Sequence, residues 1–251
     1  MIDLHSHILP DVDDGAATLE ESLEIARAAV ADGVEALAAT PHVRADYPTR
    51  AETMERLVVT TQEALRRARI PLRLLPGGEI SLDFIAGLAA DELRRFGLGG
   101  NPDYLLLEFP YGGWPLNLET MVFGLRAQGI TAVIAHPERS AAVQAAPERL
   151  RAAIEAGALV QLTASSLTAG SRASSRLAAR ALLDLRFAHL IAGDAHAPHV
   201  RRAGMMEAAA ALGDEGLARW LTEDVPRAIV ENEPLPERPQ RRRWPLLRRR
   251  P

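Results

Sequence analysis

The feature that most constrains the fold is the alternation of short apolar runs with amphipathic helical patterns along the chain. Seven apolar runs predict strands, at residues 2–5, 34–39, 72–75, 104–108, 131–135, 158–162 and 189–192. Thr18 followed by Glu21 predicts a capping box at the start of the first helix. Strands that alternate with helices form parallel sheets joined by right-handed crossovers. Seven such units predict a (β/α) barrel with one unit fewer than usual, and a doubly wound open sheet is the alternative.

The composition excludes several kinds of chemistry. The chain has no cysteine, and all 29 of its basic residues are arginine. Without cysteine there are no disulfides, no Cys₄ zinc sites and no cysteine nucleophile. Without lysine there is no Schiff-base or P-loop chemistry. No apolar run approaches the roughly 18 residues of a membrane helix, and Asp3 and His5 interrupt any signal peptide, so a soluble cytoplasmic protein is predicted.

The C-terminal end differs in composition from the rest of the chain. Residues 238–250 contain seven arginines and no acid, although the whole chain has a net charge of −4. We therefore predict one domain over residues 1–232 and a flexible, Pro/Arg-rich basic tail over residues 233–251. The tail has two interpretations, a solvated end or a contact with an anionic membrane surface or acidic partner. The acidic remainder of the chain argues against nucleic-acid binding.

Imidazole and carboxylate side chains follow nearly every predicted strand. His5 and His7 stand two residues apart on the first strand, so they point to the same face. The full set is His5, His7, Asp14, His42, Glu79, Glu108, His136, Asp194 and His196. In a β/α barrel the carboxyl ends of the strands meet at one mouth, where active sites form. His189 and His199 do not fit this pattern and are predicted to be structural.

Burying this many acids together costs several kcal/mol per charge unless cations are present. Nitrogen and oxygen ligands without sulfur suit Mn²⁺, Fe²⁺ or Zn²⁺, and nine ligands are enough for two or three ions. Two close divalent ions lower the pKa of a bridging water and so yield hydroxide near neutral pH. The residues therefore predict a multinuclear metal site and a metal-dependent phosphoester hydrolase.

The first fifteen residues, which contain His5-Ser-His7 and end in Asp13-Asp14-Gly15, resemble the opening of bacterial PHP (polymerase and histidinol phosphatase) domains. More narrowly, the chain resembles the metal-dependent protein-tyrosine phosphatases of the CpsB/YwqE type, which act in capsule synthesis. The resemblance runs over residues 1–232, through Ala-Thr-Pro-His42, Gly-x-Glu79, Leu-Leu-Glu108-Phe, Ile-Ala-His136-Pro-Glu-Arg139, Gly-Asp194-Ala-His196 and Glu231-Asn232. The arginine tail lies outside the resemblance.

The resemblance implies a distorted (β/α)₇ TIM-like barrel of the PHP type with three divalent ions, usually manganese. It assigns the first ion to His5, His7, Glu79 and Asp194, the second to Glu79, Glu108 and His136, and the third to Asp14, His42 and His196. It also implies two arginines on the substrate phosphate. These are Arg139 and Arg201, with the adjacent Arg202 as an alternative to Arg201.

The resemblance further implies that the substrate is phosphotyrosine in a protein. The partner it implies is a membrane-associated bacterial tyrosine kinase that governs capsule or exopolysaccharide synthesis. Because a phenol has a pKa of about 10, phenolate leaves with little proton donation, which also favours an aryl phosphate. The alternatives are a small-molecule phosphatase such as histidinol phosphatase, a non-catalytic regulatory metal barrel, and a nuclease resembling polymerase-associated PHP domains.

Overall fold

The computed structural model describes residues 1–110, 113–196 and 204–240. Its strands are β1 (Ile2–Asp3), β2 (Ala36–Ala39), β3 (His42–Val43), β4 (Arg73–Pro76), β5 (Glu79–Ser81), β6 (Tyr104–Glu108), β7 (Thr131–Ala135), β8 (Leu159–Thr163) and β9 (Leu190–Ala192). They form a three-stranded sheet of order β1-β2-β4 and a six-stranded sheet of order β3-β5-β6-β7-β8-β9. Every strand pair in these two sheets is parallel, so the predicted parallel α/β architecture is confirmed.

Two short strands of the structure, β3 and β5, were not predicted, because they lie beyond the predicted strands at residues 34–39 and 72–75. Thr40 and Pro41 separate β3 from β2, and Gly77 and Gly78 separate β5 from β4. Proline has no N–H to donate to a strand ladder, and glycine weakens a strand interior. β2 and β4 pair in the small sheet, whereas β3 and β5 pair in the large one.

The first and last strand segments are joined by backbone hydrogen bonds beyond the ends of β1 and β9. The His7 N–H donates to the Ala195 carbonyl at 2.8 Å, and the Asp194 N–H donates to the His5 carbonyl at 2.9 Å. Ser6 and Ala195 form an isolated parallel bridge. These bonds do not join the two sheets into one closed ladder. The predicted TIM-like barrel is therefore not confirmed.

The helices connect the strands and cover the sheets. They are α1 (Leu19–Ala31), α2 (Ala51–Arg67), α3 (Ala90–Arg95), α4 (Leu118–Ala127), α5 (Ala141–Ala145), α6 (Arg151–Glu155), α7 (Ala164–Thr168), α8 (Ser174–Asp184), α9 (Met205–Leu212), α10 (Glu215–Arg219) and α11 (Val225–Glu231). The predicted cap on α1 is present, because Thr18 Oγ1 accepts from the Glu21 N–H at 3.3 Å. Across the three described ranges, no helix is both long and apolar enough to cross a bilayer.

The core lies between the helices and the strands of both sheets. The last four residues of β6 and β7 and all five of β8 are buried, as expected for parallel strands covered on both faces. Leu106, Val133 and Val160 each have 0% exposure. Apolar side chains therefore fill the interior between the strands and the helices.

The segment after α11 continues to contact the domain. Residues 233–240 form no helix or strand. The Trp220 Nε1–H donates to the Pro236 carbonyl at 3.0 Å, and Arg238 Nη1 donates to the Ala188 carbonyl at 3.0 Å. Contacts therefore extend past the predicted tail boundary at residue 233. Residues 241–251 lie outside the described residues.

His189 directly precedes β9, at the opposite end of that strand from Asp194. Its Nδ1 accepts a hydrogen bond from the Val160 N–H at 3.1 Å. Burial, assisted by the charge of Arg238, lowers the pKa of His189 to about 4. The ring therefore stays neutral and structural in the folded protein at neutral pH.

The lowered pKa of His189 predicts acid sensitivity. The unfolded chain binds a proton here near pH 6.5 and the folded protein only near pH 4, so stability falls as the pH drops through that window. Between pH 7 and pH 5 this group costs the folded state about 2 kcal/mol. Urea unfolding of wild type and His189→Asn at both pH values measures the difference. The variant is expected to lose about 2 kcal/mol less on acidification, and equal losses would contradict the prediction.

Candidate metal centre

The structure brings all nine predicted ligands together in one cluster of side chains. They form four groups in which the ligand atoms lie within 4.8 Å of one another, namely His7, Asp14, His42 and His196; His5, Glu79 and His136; His5, His7 and Asp194; and His42, Glu79 and Glu108. Every member is buried except Asp14. Each group has a composition and spacing that could hold a metal ion.

Glu79, the first residue of β5, lies at the centre of these groups. Its Oε2 is 3.4 Å from Nε2 of His5, 3.4 Å from Nε2 of His7 and 3.0 Å from Nδ1 of His42. Its Oε1 is 2.7 Å from Nε2 of His136. Oε2 is nevertheless buried without a hydrogen bond to any described residue. A carboxylate oxygen that faces three imidazole nitrogens in this way fits a divalent cation.

Two further residues orient the histidines, and neither was predicted as a site residue from the sequence. Asp13 Oδ2 lies 2.6 Å from Nδ1 of His7, and Gln161 Oε1 lies 3.0 Å from Nδ1 of His5. An acceptor at Nδ1 favours the tautomer that carries its proton there, which leaves the Nε2 lone pair facing the site. The two Nε2 atoms are 3.3 Å apart. The only sequence signal for Asp13 was its place beside Asp14, and Gln161 had none beyond being polar within an apolar strand.

The side chain of Asp3 forms hydrogen bonds with backbone groups from two distant parts of the chain next to the site. Its Oδ1 accepts from the His5 N–H at 3.1 Å and from the Gly193 N–H at 2.9 Å. Burial raises the pKa of Asp3 to about 7, although these two hydrogen bonds oppose the increase. The carboxyl group thereby fixes the first strand against the turn that carries Asp194.

Two of the candidate ligands have left-handed backbone conformations. His136 has a φ of 35° and Asp194 a φ of 51°. Such a conformation costs a residue other than glycine about 1 kcal/mol or more, and the strain is typical of functional sites. In this protein the left-handed conformation directs each of these two side chains into the site, just after a strand ends.

The acids and histidines of the site shift one another's pKa values. Burial lowers the pKa of His42, but hydrogen bonds and charge from Asp14 and Glu79 outweigh burial and raise it to about 9. Hydrogen bonds from His196 and His42 hold the pKa of Asp14 well below its usual range. The carboxylates therefore favour the binding of positive charge between these side chains, either as protons or as metal cations.

Arg139 lies at the edge of the same site. It ends the short 3₁₀ turn Pro137–Arg139 after β7, and Glu138 fixes this turn by accepting from the Thr163 N–H at 2.9 Å. Arg139 Nη1 donates to Asp194 Oδ2 at 2.6 Å. The other predicted phosphate-binding residue, Arg201, lies outside the described residues, as do Arg202 and His199.

A cavity of about 180 Å³ opens between these side chains. Its lining consists of Asp14, His42, Arg44, Glu79, His136, Arg139, Asp194 and His196. Arg44 was not among the predicted site residues. Its Nη1 donates to both carboxylate oxygens of Glu108, at 2.9 and 3.2 Å.

The fold and the site together define a parallel α/β protein with a candidate metal centre of histidines and carboxylates. Residues 1–231 match the family model described as capsular polysaccharide synthesis, CpsB/CapC. The chain belongs to the CpsB/CapC family, and the resemblance noted in the sequence is confirmed.

Several named relatives match most of the chain. Tyrosine-protein phosphatase YwqE of Bacillus subtilis is 33% identical over 238 residues, which cover 94% of this chain and 91% of YwqE. Putative tyrosine-protein phosphatase CapC of Staphylococcus aureus is 33% identical, with 78% and 77% covered. A solved structure from work on B. subtilis YwqE and Streptococcus pneumoniae CpsB, described as unique metal-dependent tyrosine phosphatases, is 32% identical with a TM-score of 0.84. The match covers 96% of this chain and 100% of that one.

Proposed function

We propose that this protein is a metal-dependent phosphatase that hydrolyses phosphotyrosine in proteins. The observation that carries the proposal is the convergence of nine histidine and carboxylate side chains around Glu79. Relatives that cover most of the chain are named tyrosine phosphatases, and the similar solved structure is described as metal-dependent. The alternatives of a histidinol phosphatase, a non-catalytic barrel and a nuclease gain no support from these comparisons.

The proposed cofactors are three divalent ions, with manganese favoured and iron or zinc as alternatives. The proposed ligand sets are His5, His7, Glu79 and Asp194; Glu79, Glu108 and His136; and Asp14, His42 and His196. The buried Oε2 of Glu79, which has no hydrogen bond to a described residue and lies 3.4 Å from Nε2 of both His5 and His7, supports the first of these sets. When bound, divalent ions lower the pKa of water toward neutrality, which gives a hydroxide nucleophile, and offset charge on phosphoryl oxygens.

The residues around the proposed ions have distinct roles. Arg139, held by Asp194, lines the cavity, where a guanidinium can bind two phosphoryl oxygens at once. Arg201, or its neighbour Arg202, is proposed as a further phosphate ligand. Asp13 and Gln161 hold the rings of His7 and His5 in the orientation that metal binding requires.

The proposal also includes the closure of the fold and the identity of the substrate. A distorted (β/α)₇ barrel is supported by the hydrogen bonds between the first and last strand segments. The proposed substrate is a phosphotyrosine protein in the cytoplasm, specifically a membrane-associated tyrosine kinase of capsule or exopolysaccharide synthesis. The family description supports the link to capsule synthesis.

Contact of the basic tail with a membrane surface is a separate proposal, tested by removal of residues 233–251.

The test compares phosphotyrosyl and phosphoseryl peptides of otherwise identical sequence, with purified protein in Mn²⁺. We expect faster release of phosphate from phosphotyrosine, because phenolate is the better leaving group. EDTA should abolish the activity, and Mn²⁺ added back to the chelated sample should restore it. Equal rates on the two peptides would contradict the substrate preference. Hydrolysis that resists chelation, or no hydrolysis with any divalent ion, would contradict the proposed function.

A further inference from the structure

We propose, on the basis of the function proposed above, that Arg44 directly contacts the substrate phosphate, together with Arg139. Arg44 directly follows β3, whose first residue is the candidate ligand His42. It lines the 180 Å³ cavity together with Arg139. It also lines an adjoining groove of about 310 Å³, in company with Ser81 and Pro115. Its guanidinium therefore stands where the proposed phosphate site meets the space available to the rest of a substrate.

Arg44 is fixed on several sides. Its Nη1 is shared between the two oxygens of Glu108, and its Nε lies 2.9 Å from Oδ1 of Asp46. Its guanidinium carbon lies 5.2 Å from the centre of the Tyr47 ring, which itself stacks on His42 at 5.9 Å. A side chain held in this way loses little conformational freedom when it binds a ligand.

Arg44 and Arg139 are held in the same manner on the rim of one cavity. Each side chain is 23% exposed, and each donates through Nη1 to a carboxylate that is a candidate metal ligand, Glu108 for one and Asp194 for the other. Nη2 of Arg44 makes no hydrogen bond to any residue in the described part of the chain. It is therefore available to a phosphoryl oxygen.

The negative charge of a phosphoryl group favours contact with two arginines rather than one. In phosphoryl transfer the charge spreads over three equatorial oxygens, so two arginines in one cavity can neutralise different oxygens. Guanidinium suits this role better than an ammonium because its planar fork forms paired hydrogen bonds. An alternative role for Arg44 is only to hold Glu108 in place for a metal ion. The two roles differ in their effects on phosphate affinity and metal content.

The direct test measures the binding of inorganic phosphate to Mn²⁺-loaded protein by calorimetry, for wild type, Arg44→Gln and Arg44→Lys. Arg50→Gln is the matched control, because it removes the same charge from an exposed arginine six residues away. We expect Arg44→Gln to weaken phosphate binding by about 10- to 100-fold, Arg44→Lys to weaken it less, and Arg50→Gln to leave it unchanged. Bound metal per chain should stay at the wild-type value in all variants.

Turnover of a phosphotyrosyl peptide and of 4-nitrophenyl phosphate gives the second measurement. Arg44→Gln should lower kcat/KM for both substrates by a similar factor, since both carry the same phosphate. Unchanged phosphate affinity, loss of bound metal, or a loss confined to the peptide would each overturn the proposal. If wild type hydrolyses neither substrate, the proposed phosphatase function fails, and the calorimetric comparison still decides whether Arg44 binds phosphate.

Discussion

Glu79→Gln is expected to abolish most of the phosphatase activity and to release bound metal. The carboxylate of Glu79 faces His5, His7, His42 and His136 together. A neutral amide of nearly the same shape offers weaker coordination and no charge. Because metal ions contribute several kcal/mol to catalysis of this kind, activity should fall by about a thousandfold or more.

The measurement combines the metal content of the purified protein with kcat/KM on a phosphotyrosyl peptide. Glu63→Gln is the matched control, since Glu63 is 48% exposed on α2 and forms ion pairs with the neighbouring Arg66 and Arg67. It should retain wild-type activity and metal content. Circular dichroism should give a folded spectrum for both variants. A Glu79→Gln protein with full metal content and activity would show that Glu79 is not a ligand.

Gly15→Ala is expected to damage both stability and activity. A Cβ at Gly15 would lie 2.0 Å from the His7 carbonyl oxygen and 2.4 Å from the His7 Cβ. Since much of this contact is with backbone, the loop that carries Asp13 and Asp14 must move away from His7. Overpacking of this kind costs about 3 kcal/mol, and displacement of site residues by about 1 Å costs about a hundredfold in rate.

Gly124→Ala separates this effect from the general cost of replacing a glycine. Gly124 lies inside α4, and a Cβ there meets nothing within 4 Å. This variant should be about 0.5–1 kcal/mol more stable than wild type, because alanine favours a helix, and it should be fully active. Urea unfolding and peptide turnover measure both quantities. A Gly15→Ala protein as stable and active as wild type would mean that the loop adapts without moving its acids.

The positions of the candidate ligands could be predicted from the sequence because they follow local rules. The period of two along a strand places His5 and His7 on one face, and parallel strands present their carboxyl ends at one edge. The prediction of His42, Glu79 and His136 as ligands required only that each of them follows an apolar run closely. The grouping of all nine side chains followed from these rules without any knowledge of tertiary contacts.

The supporting residues could not be predicted in the same way, because their roles depend on contacts between distant parts of the chain. Gln161 meets His5 across 156 positions, and Arg44 meets Glu108 across 64. Nothing near Gln161 or Arg44 in the sequence indicates which side chain lies opposite. The breaks between β2 and β3 and between β4 and β5 have a local cause at Pro41 and at Gly77-Gly78, but β3 and β5 themselves were not predicted, because their place in the large sheet depends on strand pairing.

The contact of Asp3 and His5 with Gly193 and Asp194 has a consequence for biosynthesis. When a ribosome has synthesised the first 110 residues, the nascent chain already carries six of the nine candidate ligands, His5, His7, Asp14, His42, Glu79 and Glu108. The partners that complete the other three groups, His136, Asp194 and His196, are made only later. A truncated translation product therefore holds an incomplete ligand set, and the full complement of metal can be acquired only after β9 has emerged and docked beside the N-terminus.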